Sequence, residues 1–398
     1  MVIDGVRPLP AERLALSAAL GRVLAAPLRA RDDAPPFDAS AMDGYAVRAA
    51  DLAGSLELPL AGESRAGSAS PPLAPGHAMR ISTGAPLPEG ADAVVIQEET
   101  ERHGDRLRVR AAVLPGANVR RRGEDHREGA GLLEAGCRLG SGELGLVASQ
   151  SVARIDVHRA PAVAILVNGD ELRDPGDPIL AGSIVDSNGP MLAAAVREAG
   201  GVPRLLPRAP DEAGAMLARV REGLDADLLL VVGGASVGDH DLARPALGAA
   251  GVEEKFAGVA MKPGKPLAFG IGPRGVPVFG LPGNPVGAWV AFTVFVAPAI
   301  RRLAGDASPF APCIEVRLGR AARPPHGRTE LARARLERGA GLPVAHLHPR
   351  QGSASLASLV ASDALVLLGP ADGPLEAGAT ARALDLRAPG TPAFPFPA

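Results

Sequence analysis

Apolar strands alternate with helical segments through the middle of the chain, and this alternation limits the fold more than any other feature. Three apolar runs have strand length: AVAILV (162–167), 202–206 and LLLVV (228–232). Helical spacing lies between and after them, at 188–199, 211–223 and near 241–250. Continuous apolar strands joined by helices are typical of a mainly parallel sheet. Residues 161–306 are therefore predicted to form an α/β domain that binds ligands beyond the carboxyl ends of its strands.

The segments before this domain predict a helical linker. Residues 10–26 have helical spacing, and helical character returns at Glu143–Ser149. The chain between them has a different pattern, so 1–26 and 127–160 are predicted to form one discontinuous linker domain.

Two other regions have the pattern of β structure. Residues 27–126 consist of short apolar runs separated by Gly and Pro, which predicts a β-rich domain. Strand-like runs at 313–318 and 364–368 predict a C-terminal β domain over 307–398. The predicted fold class is therefore a multidomain α/β plus β protein.

One stretch has the length of a membrane span. The 25 residues of 276–300 carry no charge, which is nominally long enough to cross a bilayer. Four prolines interrupt it, however, and Pro285 suits the first turn of a helix. A strand, a PGNP turn and a buried helix are predicted instead, with no membrane partner.

Charge and cysteine content exclude several classes of protein. A net charge of −2 does not provide the basic surface that nucleic-acid binding requires. Two cysteines, Cys137 and Cys313, lack metal-ligand spacing and form at most one bridge. Because the N-terminal residues have no signal-peptide pattern, a cytoplasmic location is expected.

Lysine is confined to one short segment. Of the 42 basic residues only Lys255, Lys262 and Lys265 are lysine, and the other 39 are arginine. A coding bias explains the arginines but not the clustering of the lysines. Lysine supplies a compact, strongly hydrated ammonium where arginine supplies a planar fork, so the cluster predicts a site for an oxyanion.

Two acidic loops follow the predicted strands. Asp170 and Glu171 come after the AVAILV strand, and Asp239 and Asp241 come after LLLVV. Each loop alone is consistent with a solvated acidic turn. The carboxyl ends of neighbouring parallel strands converge, however, and carboxylate oxygens suit Mg²⁺. A magnesium site formed by these four residues is therefore predicted.

Three loops have features of an anion site. The glycine-rich loop 233–241 lets backbone N–H groups approach an anion, with Gly234 and Ser236 as candidates. MKPGKP (261–266) places two lysines around a Pro-Gly turn, and LPGNP (281–285) opens a helix whose N-terminus attracts anions. Together with the carboxylates, these loops indicate a site for a phosphorylated substrate and a small tetrahedral anion.

Nine motifs, taken together, resemble the MoeA family, the molybdopterin molybdenumtransferases that include the C-terminal domain of gephyrin. They run in the family's order from about Pro8 to Leu386: FDASAMDGYAV, RISTGAPLPEGADAVV, GEDHREG, NGDEL, IVDSNGPML, GGASVGDHD, MKPGKP, LPGNPV and HGR with RQGS. The resemblance implies an enzyme that takes adenylylated molybdopterin and molybdate, releases AMP with Mg²⁺ and forms molybdenum cofactor. It also implies an upstream molybdopterin adenylyltransferase.

The resemblance further implies a homodimer of four-domain subunits. Its active site lies between the α/β, molybdopterin-binding domain of one subunit and the β-rich domain of the other. The positions that match activity-related family residues are Asp43, Thr83, Asp125, Glu171 and Asp241. Those that match the pocket for molybdate and neighbouring substrate groups are Lys262, Lys265, Pro282, Pro285, Arg328 and Ser353.

The chain departs from the family pattern near the lysines. Gly258 stands where many members have a further lysine, Gly287 where a serine is usual, and Asn168 where a threonine is usual. Lys255 lies close enough in sequence to replace the missing charge. These departures keep two alternatives open: a non-catalytic molybdopterin-binding carrier or scaffold, and a paralogue selective for tungstate.

Overall fold

The computed structural model describes residues 3, 5–210, 212–233 and 242–391. The chain divides into two compact units. The larger consists of Met1–Ala26, Ala135–Leu144 and Ala153–Ala398, and the smaller of Pro27–Glu134 and Gly145–Val152. Each unit has its own hydrophobic core and is described separately below.

The first element is a strand, so the helix predicted over 10–26 is wrong. Strand β1 (Ala11–Ala15) pairs along its whole length with Arg154–His158 in antiparallel register, and only one 3-10 turn (Leu16–Ala18) follows. Gly21 then has φ of +74°, a left-handed conformation that a right-handed helix excludes. The ladder satisfies the backbone groups of β1 through a segment distant in sequence, and this pairing overrides the local helical spacing.

The smaller unit is β-rich, as predicted. Its core contains Tyr45, Val47, Val95 and Leu107, all buried on one side of a six-stranded sheet of order β7-β4-β6-β5-β9-β8. Two 3-10 turns span Ala49–Ala53 and Gln97–Glu99. The strands are β2 Leu28–Arg29, β3 Ala39–Ser40, β4 Gly44–Val47, β5 Glu57–Ser64, β6 Ala78–Ile81, β7 Ala93–Ile96, β8 Thr100–His103, β9 Arg106–Val109, β10 Val119–Arg120 and β11 Gly131–Leu133.

Helix α1 (Ser141–Ser149) and strand β12 (Arg154–His158), the partner of β1, lead into the α/β sheet. The strands that follow are β13 Ala162–Val167, β14 Leu172–Arg173, β15 Ile184–Val185, β16 Val202–Leu205, β17 Leu228–Val232, β18 Glu253–Ala257, β19 Met261–Lys262, β20 Ala268–Ile271 and β21 Pro277–Leu281. The helices among them are α2 Asn188–Glu198, α3 Ala213–Gly223 and α4 Ala243–Ala249, with a 3-10 turn at Pro273–Gly275.

The main sheet has the strand order β16-β13-β17-β21-β20-β18. The first four strands are parallel to one another, as the alternation predicted. Strand β20 pairs antiparallel with β21, and β18 pairs antiparallel with β20, so the sheet is mixed. Side chains alternate between the faces. Ile165 and Leu230 face α2 and the long helix described next, whereas Leu166 and Leu229 face α3 and α4. Both faces are therefore buried, which explains the continuous apolar runs.

The uncharged stretch contains a strand and a buried helix, as predicted. The helix spans Pro285–Leu303 as α5 (Pro285–Ala291), a π-helical segment (Phe292–Val296) and α6 (Ala297–Leu303). Pro298 cannot donate a backbone hydrogen bond to the preceding turn, which accounts for the wider π segment. By length and apolarity this helix could cross a membrane, but 72% of its most apolar window is buried within the protein.

The C-terminal strands form a closed sheet. The order is β19-β23-β24-β22-β26-β25, and an additional β23–β25 pairing closes a barrel to which β19 is attached. Strand β19 carries Met261 and Lys262, so the lysine motif joins this sheet directly. The elements are β22 Cys313–Leu318, β23 Thr329–Glu337, β24 Val344–Leu347, α7 Ala357–Val360, β25 Ala364–Leu368 and β26 Thr380–Asp385.

Candidate active site

The loops after three parallel strands meet at the carboxyl edge of the α/β sheet. The Asn168 amide, after β13, donates to the Val232 carbonyl at 3.0 Å. Gly233, with φ of +79°, lies so close that a β carbon there would stand 2.7 Å from the Asn168 carbonyl oxygen. Asn188 at the start of α2 donates through Nδ2 to the Gly283 carbonyl at 2.7 Å. The loop after β13, the first residue after β17 and the PGNP turn after β21 therefore lie at one edge of the sheet.

Glu171 folds back over the loop that carries it. A β carbon on Gly169 would lie 2.6 Å from Glu171 Oε2, and Gly169 has φ of +152°. The backbone conformation therefore favours glycine here, and the absent side chain leaves room for the carboxylate. Asp170 and Glu171 are both exposed at the end of the strand, where they are available to a cation.

The other predicted residues of the magnesium and anion site belong to the loop after β17. Gly234, Ser236, Asp239 and Asp241 lie outside the described residues. Among the residues that are described, no group of three or more His, Cys, Asp or Glu side chains forms a metal site. Asp170 and Glu171 still suit Mg²⁺, because this ion is commonly held by one or two protein carboxylates and completes its shell with water and phosphate oxygens.

Lys262 forms an ion pair within the C-terminal sheet. Its Nζ lies 3.0 Å from Glu330 Oε1, and the two residues are directly opposite in the β19–β23 ladder. The Glu330 side chain is 9% exposed and that of Lys262 is 43% exposed. Lys262 therefore compensates a nearly buried carboxylate, which reduces the charge it offers to an anion.

Substitution of Lys262 by methionine is expected to destabilise the protein by about 1 to 2 kcal/mol, because Glu330 would be left without its cation. This value is below the usual cost for a fully buried pair because Lys262 is partly exposed. The double variant Lys262→Met, Glu330→Met should recover most of the loss in a urea unfolding experiment. Equal stability of Lys262→Met and the wild type would contradict this account of the pair.

Lys265 differs from the other two lysines. It is exposed, and it has no acidic partner among the residues that the structure describes. Lys255 lies on edge strand β18 and pairs with Glu253, so part of its charge is already neutralised. At the position of the missing family lysine, Gly258 has φ of +87°, which disfavours any side chain. Lys265 is therefore the lysine with the most available charge.

The lysine turn packs against the first turn of helix α5. A β carbon on Gly264 would lie 3.6 Å from the Gly287 carbonyl oxygen, and one on Gly287 would lie 3.3 Å from Pro282 Cβ. The Val286 amide donates to the Ser353 carbonyl at 3.0 Å. The lysine turn, the PGNP turn and the RQGS loop thus converge.

The start of β23 reaches the same region. The Thr329 amide donates to the Ala260 carbonyl at 2.9 Å, which places half-buried Arg328 beside the beginning of the lysine motif. Pro285, also half-buried, opens helix α5. All six described pocket candidates therefore lie on segments that contact one another: Lys262, Lys265, Pro282, Pro285, Arg328 and Ser353.

Arg333 was missed by the sequence analysis. This arginine on β23 is fully buried, and its Nη2 donates to the carbonyls of Arg350 and Gly352, at 3.0 and 3.1 Å. Nε and Nη1 have no hydrogen-bond partner within the described part of the chain. Burial lowers the pKa of the guanidinium, and nearby Glu330 opposes this shift. Arg333 thus holds the loop that carries Ser353. An arginine within an apolar strand pattern was the feature of the sequence that could have identified it.

In the smaller unit, Asp43 and Thr83 form one polar cluster. Asp43 Oδ1 accepts hydrogen bonds from the Thr83 amide at 2.7 Å and from Thr83 Oγ1 at 3.0 Å. These two bonds, the amide bond first, lower the pKa of the Asp43 carboxyl, and Arg80 adds a smaller electrostatic effect. Asp43 is therefore held as an oriented carboxylate. Asp125 lies elsewhere in this unit, and its side chain is 75% exposed.

Thr83→Val should raise the pKa of Asp43 toward its usual value without restoring it fully, because the amide bond remains. A depressed pKa stabilises the fold above the unfolded-state pKa, and this contribution is lost as pH falls through the folded-state pKa. The variant should therefore lose less stability on acidification. Carboxyl NMR titration measures the shift, with Thr100→Val as control, because the Thr100 hydroxyl donates to the Gln97 carbonyl and not to Asp43. An unchanged Asp43 pKa would contradict the assignment.

Comparison with known protein families covers nearly the whole chain. Three family models match: "MoeA N-terminal region (domain I and II)" over residues 2–151, "Probable molybdopterin binding domain" over 164–302 and "MoeA C-terminal region (domain IV)" over 315–386. The fold and the convergent loops thus define a multidomain protein built around a molybdopterin-binding type of α/β domain. The chain belongs to the MoeA family.

Individual relatives and structures agree with this assignment. Molybdopterin molybdenumtransferase 2 of Mycobacterium tuberculosis is 39% identical over 84% of this chain and 85% of its own length. Molybdopterin molybdenumtransferase of Bacillus subtilis is 35% identical over 94% and 90%. The crystal structure of the MoeA molybdopterin biosynthesis protein from Pyrococcus horikosii superposes with a TM-score of 0.78, at 31% identity and 97% coverage of both chains.

Proposed function

We propose that this protein inserts molybdate into the dithiolene of adenylylated molybdopterin, with Mg²⁺-dependent release of AMP, and so forms molybdenum cofactor. The observation that carries the proposal is the convergence of the lysine turn, the PGNP turn and the RQGS loop beside an edge that bears exposed carboxylates. An oxyanion and a phosphate-bound cation could be held there together. Membership of the MoeA family, whose relatives are named molybdopterin molybdenumtransferases, supports the same reaction.

The protein's own part in the reaction is positioning. The pterin dithiolene supplies both sulfur ligands, so no cysteine of the chain is needed. Lys265 offers a compact cation to molybdate, and the dipole at the N-terminus of the helix that begins at α5 adds a partial positive charge. Holding molybdate against the dithiolene makes an otherwise bimolecular encounter effectively intramolecular.

Asp170 and Glu171 would hold Mg²⁺ at the carboxyl edge, with Asp239 and Asp241 as further candidates. When bound, this ion would polarise the phosphoanhydride and favour departure of AMP. Because Gly169 has no side chain, the loop has room for the Glu171 carboxylate above it. The carboxylate is exposed in this position, so a cation could reach it.

The reaction is tested by supplying purified protein with adenylylated molybdopterin, Mg²⁺ and molybdate. AMP should appear, and its rate should rise with molybdate until the site is saturated. Chelation of Mg²⁺ should stop the release while leaving the protein folded. Substrate binding without AMP at any molybdate concentration would refute the proposal. Competition between molybdate and tungstate identifies a paralogue selective for tungstate.

The alternative of a non-catalytic carrier rests on Gly258 and Gly287. It predicts tight binding of molybdopterin without turnover, and gain of activity when the family residues are restored. Gly287→Ser is the better test, because its new β carbon needs only a shift of a few tenths of an ångström at Pro282. Gly258→Lys would be strained by the left-handed backbone. Activity in the wild type would exclude the carrier.

The proposal also covers the oligomeric state of the protein, its location in the cell and the enzyme that precedes it. Asp43 and Thr83 would enter the site from the second subunit of a homodimer, and Asp125 would be a further acidic residue of the site. The protein would act in the cytoplasm, downstream of a molybdopterin adenylyltransferase. Sedimentation equilibrium at micromolar protein should give twice the monomer mass. Complementation in mixtures of Asp43→Ala and Glu171→Gln subunits would show that each active site uses residues of both.

A further inference from the structure

Asp125 of the smaller unit is in contact with a histidine. Its Oδ2 lies 3.0 Å from Nδ1 of His126, the next residue. The two side chains differ sharply in exposure, because that of Asp125 is 75% exposed and that of His126 is 8% exposed. A nearly buried imidazole therefore contacts an exposed carboxylate, and the ring's other nitrogen faces the interior.

That second nitrogen contacts Gln150, which is also buried. His126 Nε2 lies 3.0 Å from Gln150 Nε2, and Gln150 is 5% exposed. The Gln150 amide could in principle present either its oxygen or its nitrogen to the ring. The Arg31 backbone amide decides between them, since it lies 2.8 Å from Gln150 Oε1. A backbone N–H can only donate, so the atom that it contacts is the oxygen.

The remaining bonds of the Gln150 amide agree with this orientation. Gln150 Nε2 also donates to Ser149 Oγ at 3.1 Å. Ser149 Oγ in turn donates to the Leu146 carbonyl at 2.7 Å, so it accepts from Gln150. Both hydrogens of the Gln150 amide are therefore used, one toward Ser149 and one toward His126. If the amide were reversed, its oxygen would face the Ser149 hydroxyl, whose hydrogen is already donated to the Leu146 carbonyl. Its NH₂ group would face the Arg31 N–H, so that two donors would meet.

The tautomer of His126 follows from these contacts. Because Gln150 Nε2 donates to His126 Nε2, that ring nitrogen carries a lone pair and no hydrogen. In the neutral ring the hydrogen is then on Nδ1. Nδ1–H points to Asp125 Oδ2 and donates to it. The order of donation runs from the backbone-anchored Gln150 through His126 to the carboxylate.

We propose that Gln150 and His126 are positioning residues for Asp125. They fix one oxygen of its carboxylate through a neutral Nδ1–H imidazole and leave the other free for the substrate complex. This inference rests on the proposed function, in which Asp125 contributes to the reaction. His126 touches neither substrate nor metal and acts only through Asp125.

The tautomer can be tested without substrate. In protein labelled with ¹⁵N-histidine, the His126 ring should give the two-bond couplings and shifts of a neutral Nδ1–H imidazole. Gln150→Leu removes the donor to Nε2 and should allow a mixture of tautomers. A neutral Nε2–H ring in the wild type would overturn the inference, whether or not the protein is active.

The positioning role is tested by two variants of similar size. Asparagine places its NH₂ near the position of Nδ1, whereas glutamine places its NH₂ near that of Nε2. His126→Asn should therefore keep the bond to Asp125, and His126→Gln should lose it. We expect kcat for AMP release to stay within about threefold for Asn and to fall about tenfold or more for Gln, with little change in KM for molybdate.

Controls separate this inference from stability and from the proposed function. His103→Gln alters an exposed histidine on β8 and should match the wild type. Thermal unfolding identifies the folded fraction, to which each kcat is normalised. Equal kcat for His126→Asn and His126→Gln in an active protein would overturn the positioning role. An inactive wild type with the Nδ1–H tautomer would instead refute the proposed function.

Discussion

Replacement of Glu171 by glutamine is expected to lower kcat for AMP release by a factor of about 100 to 1,000, the range seen when one preorganised electrostatic group is removed. The change keeps the size of the side chain and its position over Gly169, but removes the charge that would hold Mg²⁺. Because Glu171 is exposed, the fold should be unaffected. The rate is measured by AMP formation at saturating molybdate and several Mg²⁺ concentrations.

Glu198→Gln is the matched control. Glu198 is also an exposed glutamate of the α/β domain, at the end of α2 and without an assigned role in the site. It should retain the wild-type rate. If Glu171→Gln retained the wild-type rate and Mg²⁺ requirement, the carboxyl edge would not be the place where AMP release is promoted.

Lys265→Met is expected to raise the molybdate concentration for half-maximal AMP release by about 10- to 100-fold, the loss of one hydrogen bond to a charged group. Lys265 is selected because Lys262 already pairs with Glu330. The side chain is exposed, so its removal should not affect stability. Initial rates over a molybdate series, at saturating adenylylated molybdopterin, measure the effect.

Lys255→Met is the control, because Lys255 pairs with Glu253 on an edge strand. It should leave the molybdate requirement near that of the wild type. An effect of Lys255→Met equal to that of Lys265→Met would instead assign the missing family charge to Lys255. Lys262→Arg and Lys265→Arg test geometry, since arginine keeps the charge but not the compact ammonium. Near-normal activity of both would show that only charge matters.

Much of the α/β domain could be predicted from local sequence. The strands at 162–167 and 228–232 have the bounds that their apolar runs indicated, because both sheet faces are buried and Gly or Pro limits the runs. The helix predicted over 10–26 is wrong because the structure of this segment is set by a distant part of the chain. Its strand is defined by pairing with Arg154–His158, and local periodicity contains no information about so distant a partner.

In the candidate site too, some features could be predicted from local sequence and others depend on long-range pairing. The lysine turn and the acidic loop could be identified as chemistry at strand ends, because their residue types are unusual. The Lys262–Glu330 ion pair could not be identified from the sequence, because it depends on the register of β19 against β23. The same holds for the two bonds from Thr83 to Asp43 and for the buried Arg333. Long-range register decides which charges are already compensated.

The most direct test of the central claim is a single turnover in which AMP and molybdenum are measured in the same sample. Protein loaded with adenylylated molybdopterin is mixed with Mg²⁺ and molybdate, quenched, and assayed for AMP and for pterin-bound molybdenum. The account predicts that the two rise together in equal amounts, and that neither rises when molybdate is left out. Retention of intact adenylylated molybdopterin, or AMP formed without bound molybdenum, would contradict it.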